Sequence, residues 1–289
     1  MFAIATRQDR YTTYLLSNQE TGASLEIVPE RGGIVTRWQV HDRDILYLDA
    51  ERFADPTLSV RGGIPILFPI CGNLPENTYL FNGQTYTLKQ HGFARDLPWQ
   101  VTDRVTQDCA SLTLVLNANE RTHAVYPFDF QLAFTYTLHN GMLATHQRYT
   151  NRSEVPMPFS VGFHPYFQVT DKTQLEFDIP ASSFQDQRTK TVQPFNGTFD
   201  FGQDEIDAAF TGVTSQSATV RDKSQSLRLT LDYSHSFATL VFWTLKGKDF
   251  YCLEPWTAPR NALNTGDGLL YLDPGASFET VFNLTADFL

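Results

Sequence analysis

Apolar and polar residues alternate with a period of two along much of this chain. SLTLVLNA (Ser111–Ala118), QLAFTYTL (Gln131–Leu138), SLRLTLDY (Ser226–Tyr233) and SFETVFNLT (Ser277–Thr285) each place apolar side chains on one face and polar ones on the other. That is the pattern of a strand with one buried face. Asn82-Gly83 lies between TYLF and QTYTL, and Asn140-Gly141 between TYTLH and MLATHQRYT. Asn-Gly readily adopts the two positive φ values of a tight hairpin turn, so both pairs predict antiparallel hairpins. Apolar stripes at helical spacing are nearly absent, which predicts helix only as short turns. No linker, compositional break or fixed repeat divides the chain. The expectation is an all-β protein, one large antiparallel β-sandwich forming a single domain over residues 1–289, with long functional loops. Ser182–Gly202 is the least patterned stretch and reads as a loop.

Composition narrows the class. The chain has 289 residues, enough to bury a sizeable core, and carries 23 Phe, 12 Tyr and 4 Trp. Aromatics favour strands and also offer flat faces to ligands. A net charge of −10 argues against a nucleic acid or an anionic membrane as partner. No apolar run approaches the roughly 18 residues of a membrane helix. The opening MFAIATRQDR lacks the basic and apolar regions of a signal peptide. Cys71, Cys109 and Cys252 form no C-x-x-C pair, which suits a reducing cytoplasm and argues against a disulfide framework or a zinc knuckle. The expected partner is a small molecule, and the expected state a monomer or weak homodimer.

Several familiar chemistries lack their motifs. There is no G-x-S-x-G, no G-x-x-x-x-G-K, no G-x-G-x-x-G and no H-E-x-x-H, so neither a metal nor a nucleotide cofactor is expected. Four stretches stand out instead. VRGGIPILFPICG holds Arg61 before a Gly-Gly pair and two prolines, either as a tight corner or as a guanidinium fork beside ligand oxygens. LKQHGFARDLPW places His91 and Arg95 around a turn glycine. SVGFHPYF sets His164 among aromatics and before a proline; taken alone, such a residue is more often a satisfied core histidine. FYCLEPWTAPRNALNTG ends an apolar run on Glu254. Desolvation there would raise the carboxyl pKa and prepare a general base; the competing reading pairs Glu254 with Arg260 at a rim. Together these residues suit acid–base chemistry on a polyhydroxylated ligand.

RGGIPILFP, HGFAR, GFHPYF, IDAAF and LEPWTAPRNALN, in this order from Arg61 to Asn264, resemble the aldose 1-epimerase (mutarotase) superfamily. The resemblance implies a galactose mutarotase-like β-sandwich that interconverts sugar anomers without a cofactor. It implies Glu254 as the base at the C1 hydroxyl and His164 as the acid at the ring oxygen, on opposite sides of the C1–O5 unit. Asp207, from IDAAF, would accept hydrogen bonds from sugar hydroxyls, and Arg61, His91 and Arg95 would donate to sugar oxygens or to a substituent. RGGIP and HGFAR replace the Asn-Arg pair and HGG of galactose mutarotases and are similar to hexose-6-phosphate mutarotases, where arginines grip a phosphate. The hairpin in FNGQTYTLKQHGFAR is instead similar to epimerases of unphosphorylated sugars. A hexose and a hexose phosphate therefore both stand as expected substrates. A non-catalytic sugar-binding or sugar-sensing protein on the same scaffold is the competing class. It would have no need of a matched acid and base.

Overall fold

The structure, a computed structural model, describes residues 1–289. Two large antiparallel sheets form a sandwich. The first runs in spatial order Leu175–Asp178, Ser217–Asp222, Leu227–Tyr233, Ser277–Phe288, Met142–Asn151, Phe130–His139, Ala110–Asn117 and Gln100–Val105. The second runs Val192–Pro194, Ser183–Asp186, Glu205–Thr211, Thr239–Leu245, Phe250–Trp256, Gly162–Phe163 and Ile66–Leu67, with Tyr166–Gln168 also paired to Phe250–Trp256. A five-stranded antiparallel sheet from Phe2 to Asp44 is tied to the first sheet. There the Trp38 indole N–H donates to the Gly141 carbonyl at 3.0 Å and the Tyr136 hydroxyl to that of Gly33 at 2.8 Å. The α-helices, Ala50–Ala54, Glu120–His123 and Ala262–Thr265, have only four or five residues each. No helix is long and apolar enough to cross a membrane.

The alternation in sequence becomes the core. Strand Phe130–His139 buries Phe130, Leu132, Phe134, Tyr136 and Leu138 and leaves the residues between them at least partly exposed. Phe163 of the second sheet packs against Phe282 and Phe134 of the first, with ring centres 5.1 and 6.0 Å apart. Phe242 meets Phe177 at 5.1 Å. One contiguous cluster of 60 buried residues draws on all three sheets, so they share a core. Both Asn-Gly pairs close hairpins as expected: φ is 49° and 78° at Asn82 and Gly83, and 49° and 83° at Asn140 and Gly141.

One expectation is corrected. Within Ser182–Gly202, the strands Ser183–Asp186 and Val192–Pro194 pair as a hairpin at the edge of the second sheet. The Asp186 carboxylate accepts from the N–H groups of Arg188 (2.8 Å) and Thr189 (3.0 Å), closing its turn. Most of these side chains face solvent, so no apolar alternation marks the strands.

Candidate active site

Period-two alternation on the second sheet builds the floor of a cavity. Ile206, Ala208, Phe210, Leu240, Phe242, Tyr251 and Leu253 point into the core. Neighbours of opposite parity, Glu205, Asp207, Trp243, Glu254 and Trp256, line a cavity of about 340 Å³ on the other face. Arg61, His91, Arg95, His164 and Tyr166 complete much of its wall. The structure thus brings all six sequence-predicted site residues, Arg61, His91, Arg95, His164, Asp207 and Glu254, into one cavity.

Glu254 and His164 are neighbours at its floor. The imidazole Nε2 lies 3.3 Å from Glu254 Oε1, with the two side chains 10% and 1% exposed. The Trp256 indole N–H donates to Glu254 Oε2 at 3.1 Å. Arg260 pairs with Asp207 and not with Glu254, which removes the rim reading of that glutamate. The His164 ring stacks on Tyr166 at 4.7 Å and meets the Trp243 ring edge-on at 5.7 Å. Its peptide N–H donates to the Pro65 carbonyl at 3.0 Å, which locks the GFHPYF segment onto RGGIP.

Burial dominates the proton affinities. It pushes the Glu254 carboxyl well above the usual carboxylate range, reinforced by Asp207 and opposed by Arg260, the Trp256 N–H and Arg95. Burial pushes His164 down to about 3, with Arg95 contributing in the same direction. The free pair therefore holds one proton and no net charge over a wide pH range.

His91 has its tautomer set by the backbone. Its peptide N–H donates to the Gly72 carbonyl at 2.7 Å, and its ring Nδ1 accepts the Gly72 N–H at 3.1 Å. Burial holds its pKa well below the usual range, with Arg95 adding to the shift. A neutral ring that accepts at Nδ1 carries its proton on Nε2, so His91 is a donor. The following residue, Gly92, has φ 69°, and a Cβ there would overlap the Phe68 carbonyl oxygen. Gly92→Ala is expected to cost at least about 1–3 kcal/mol from the strained backbone alone, read as a lowered denaturant midpoint.

The arginines separate by partner. Arg260 Nη2 donates to both Asp207 oxygens, at 2.8 and 2.7 Å. Arg95 Nη2 donates to the Gln90 carbonyl at 2.8 Å. Neither Arg95 nor Arg61 forms an ion pair with a carboxylate; Asp96, adjacent to Arg95, does not engage it. Sequence reasoning missed Arg52, which lines the same cavity from the helix Ala50–Ala54. Its Nε donates to the Ser59 carbonyl at 3.2 Å. Trp243, Glu205 and Arg260 were missed as lining residues too. Cys252 could have been found from parity with Glu254: the Cys252, Glu254 and His164 donor atoms lie within 4.8 Å of one another. That trio fits a cation poorly, because burial holds the Cys252 thiol protonated and Arg95 and Arg260 place positive charge near Glu254.

A family profile described as aldose 1-epimerase matches residues 13–285. The chain belongs to the aldose 1-epimerase family. Among solved structures it resembles the Slr1438 protein of Synechocystis sp. PCC 6803, at 45% identity and TM-score 0.95 over the full length of both chains. A galactose mutarotase-like protein of Clostridium acetobutylicum shares the fold at 22% identity and TM-score 0.83, covering 100% of this chain and 99% of that one. Among curated proteins, the chromosomal LacX protein of Lactococcus lactis subsp. lactis is 25% identical over 274 residues, 85% of each chain. A Cenchrus ciliaris protein provisionally named glucose-6-phosphate 1-epimerase is 27% identical over 157 residues, 51% of this chain and 44% of its own.

Proposed function

We propose that this aldose 1-epimerase family member interconverts the α and β anomers of a hexose, with Glu254 as general base and His164 as general acid. The observation that carries this reading is the buried pair itself, Nε2 and Oε1 at 3.3 Å on the floor of a polar cavity. O1 and O5 are bonded to the same carbon, so adjacent side chains can serve one as base and the other as acid.

Proton transfer from Glu254 to His164 across that contact gives the carboxylate–imidazolium form. The carboxylate then takes the proton from O1–H while His164 protonates O5. The O1 electron pair forms the aldehyde carbonyl and the C1–O5 bond breaks. Rotation about C1–C2 presents the other carbonyl face to O5. Reclosure returns a proton to O1 from Glu254 and one from O5 to His164, so protons and electrons balance without a cofactor. His91 and the arginines would donate to ring or substituent oxygens. Asp207, though held by Arg260, keeps lone pairs for sugar hydroxyls.

A second reading, a hexose 6-phosphate as substrate, is favoured by Arg52, Arg61 and Arg95, which line one cavity without carboxylate partners. In either reading, polarimetry of freshly dissolved α-D-glucose, or of the α anomer of glucose 6-phosphate, is expected to show mutarotation faster than in buffer. Lack of acceleration on both, and on α-D-galactose as well, removes the proposal.

The pH profile follows from the shared proton. As pH falls through about 3, His164 gains a second proton for the pair and no base remains. As pH rises through the raised Glu254 value, the shared proton is lost and no acid remains. kcat/KM is therefore expected to lack an inflection from His164 in the window of roughly pH 5–8 where ordinary histidines titrate. An acid limb centred near the usual histidine value, about 6.5, would contradict this assignment.

A further inference from the structure

The outer face of the second sheet continues past the cavity into a second cleft of about 310 Å³ that shares Trp256 and Arg260 as walls. The same strands line both. Along Glu205–Thr211, Glu205 and Asp207 face the cavity, and Ala209 and Thr211 of the same parity face the cleft. Along Thr239–Leu245, Trp243 faces the cavity, and Val241 and Thr239 the cleft. Short side chains thus replace a tryptophan and a glutamate, and their missing bulk is the depth of the cleft.

Arg260 stands between the two spaces. Its guanidinium carbon lies 5.5 Å from the centre of the Trp256 ring, while Nη2 is committed to Asp207. Its stem runs over Gly72, where a Cβ would overlap it. Beyond it the rim carries amides, among them Asn73, Gln185, Gln187 and Asn261, and no carboxylate. The only other charge is the Lys190 amine, which donates to Gln187 Oε1 at 3.3 Å. Amides and hydroxyls supply donors and acceptors in mixed order, beside an indole. That chemistry recognises a neutral polyhydroxylated ring better than an anion.

We infer that the cleft is a second sugar subsite, so that the protein takes a reducing disaccharide with its reducing ring at His164–Glu254 and its other ring over Ala209 and Thr211. The inference rests on the proposed anomerase reading for the position of the reducing ring. The hairpin Ser183–Pro194, which carries Gln185, Gln187 and Lys190, is then one wall of the subsite.

The test is calorimetric titration of the protein with glucose and with glucosyl-glucoses linked 1→2, 1→3, 1→4 and 1→6, beside anomerisation kinetics on the same sugars. At least one linkage is expected to bind about tenfold more tightly than glucose. Thr211→Trp, which fills the cleft from an exposed strand end, is expected to erase that gain and leave glucose binding unchanged. Gln187→Ala on the outer hairpin serves as a second variant should the tryptophan disturb folding, and is expected to reduce the gain selectively. The subsite is overturned if no linkage binds more tightly than glucose, or if the variants weaken glucose and disaccharide equally. Binding decides the subsite, whereas a failure to accelerate glucose mutarotation counts against the anomerase reading alone.

Discussion

Glu254→Gln is expected to lower kcat/KM for anomerisation by at least about a hundredfold, within the usual range for loss of a general base, while sugar binding persists. The amide keeps the shape of the carboxyl group. Its oxygen can still accept the Trp256 N–H, and its NH₂ can donate to His164 Nε2, so the packing survives. What disappears is the ability to take a proton from O1. Stability gives a second readout. Because the folded pKa of Glu254 is raised, its contribution to stability is full below the unfolded value and is lost as pH rises through the folded value. At neutral pH the glutamate is therefore a liability that Gln removes, as often happens when a functional group is neutralised. The variant should unfold at or above the wild-type temperature at pH 7. Full activity in Glu254→Gln would remove this residue from the mechanism.

Arg95→Ala is expected to weaken glucose 6-phosphate by about ten- to a hundredfold, since a charge-assisted contact contributes roughly 1.5–3 kcal/mol. Glucose should lose less, because a neutral oxygen gains less from a guanidinium than a phosphate does. The bond from Arg95 to the Gln90 carbonyl complicates this substitution, for it closes the loop that presents His91. An equal loss on both sugars therefore assigns Arg95 to loop support or to a ring hydroxyl. Absence of a wild-type preference for the phosphorylated sugar would leave a plain aldose as substrate.

The first sheet was legible because one face is buried and the other wet, so burial printed a period of two on strands such as Phe130–His139. The strands that carry the site are less legible. Every residue of Phe250–Trp256 is buried, since its outer face is covered by the cavity walls, and the alternation vanishes. Glu254 stood out there only as a charge interrupting an apolar run. The hairpin Ser183–Pro194 was missed for the opposite reason, with mostly wet faces and no apolar rhythm. Grouping the site residues needed the sheet register: it sets Asp207 beside Trp243 and Val241 beside Glu254, on strands far apart in sequence, and Arg260 reaches Asp207 from the turn that follows Trp256. The family resemblance anticipated which residues would gather. It did not anticipate Arg52, which sits on a short helix in a stretch without a distinguishing motif.

The most direct measurement is anomer exchange followed by NMR at equilibrium, with glucose, galactose and glucose 6-phosphate compared in buffer, with wild-type protein and with Glu254→Gln. Acid–base catalysis by the buried pair predicts exchange between the α and β C1–H resonances that wild-type protein accelerates for at least one of these sugars and Glu254→Gln does not. Exchange no faster than buffer for all three sugars, or equal acceleration by wild type and Glu254→Gln, would contradict it.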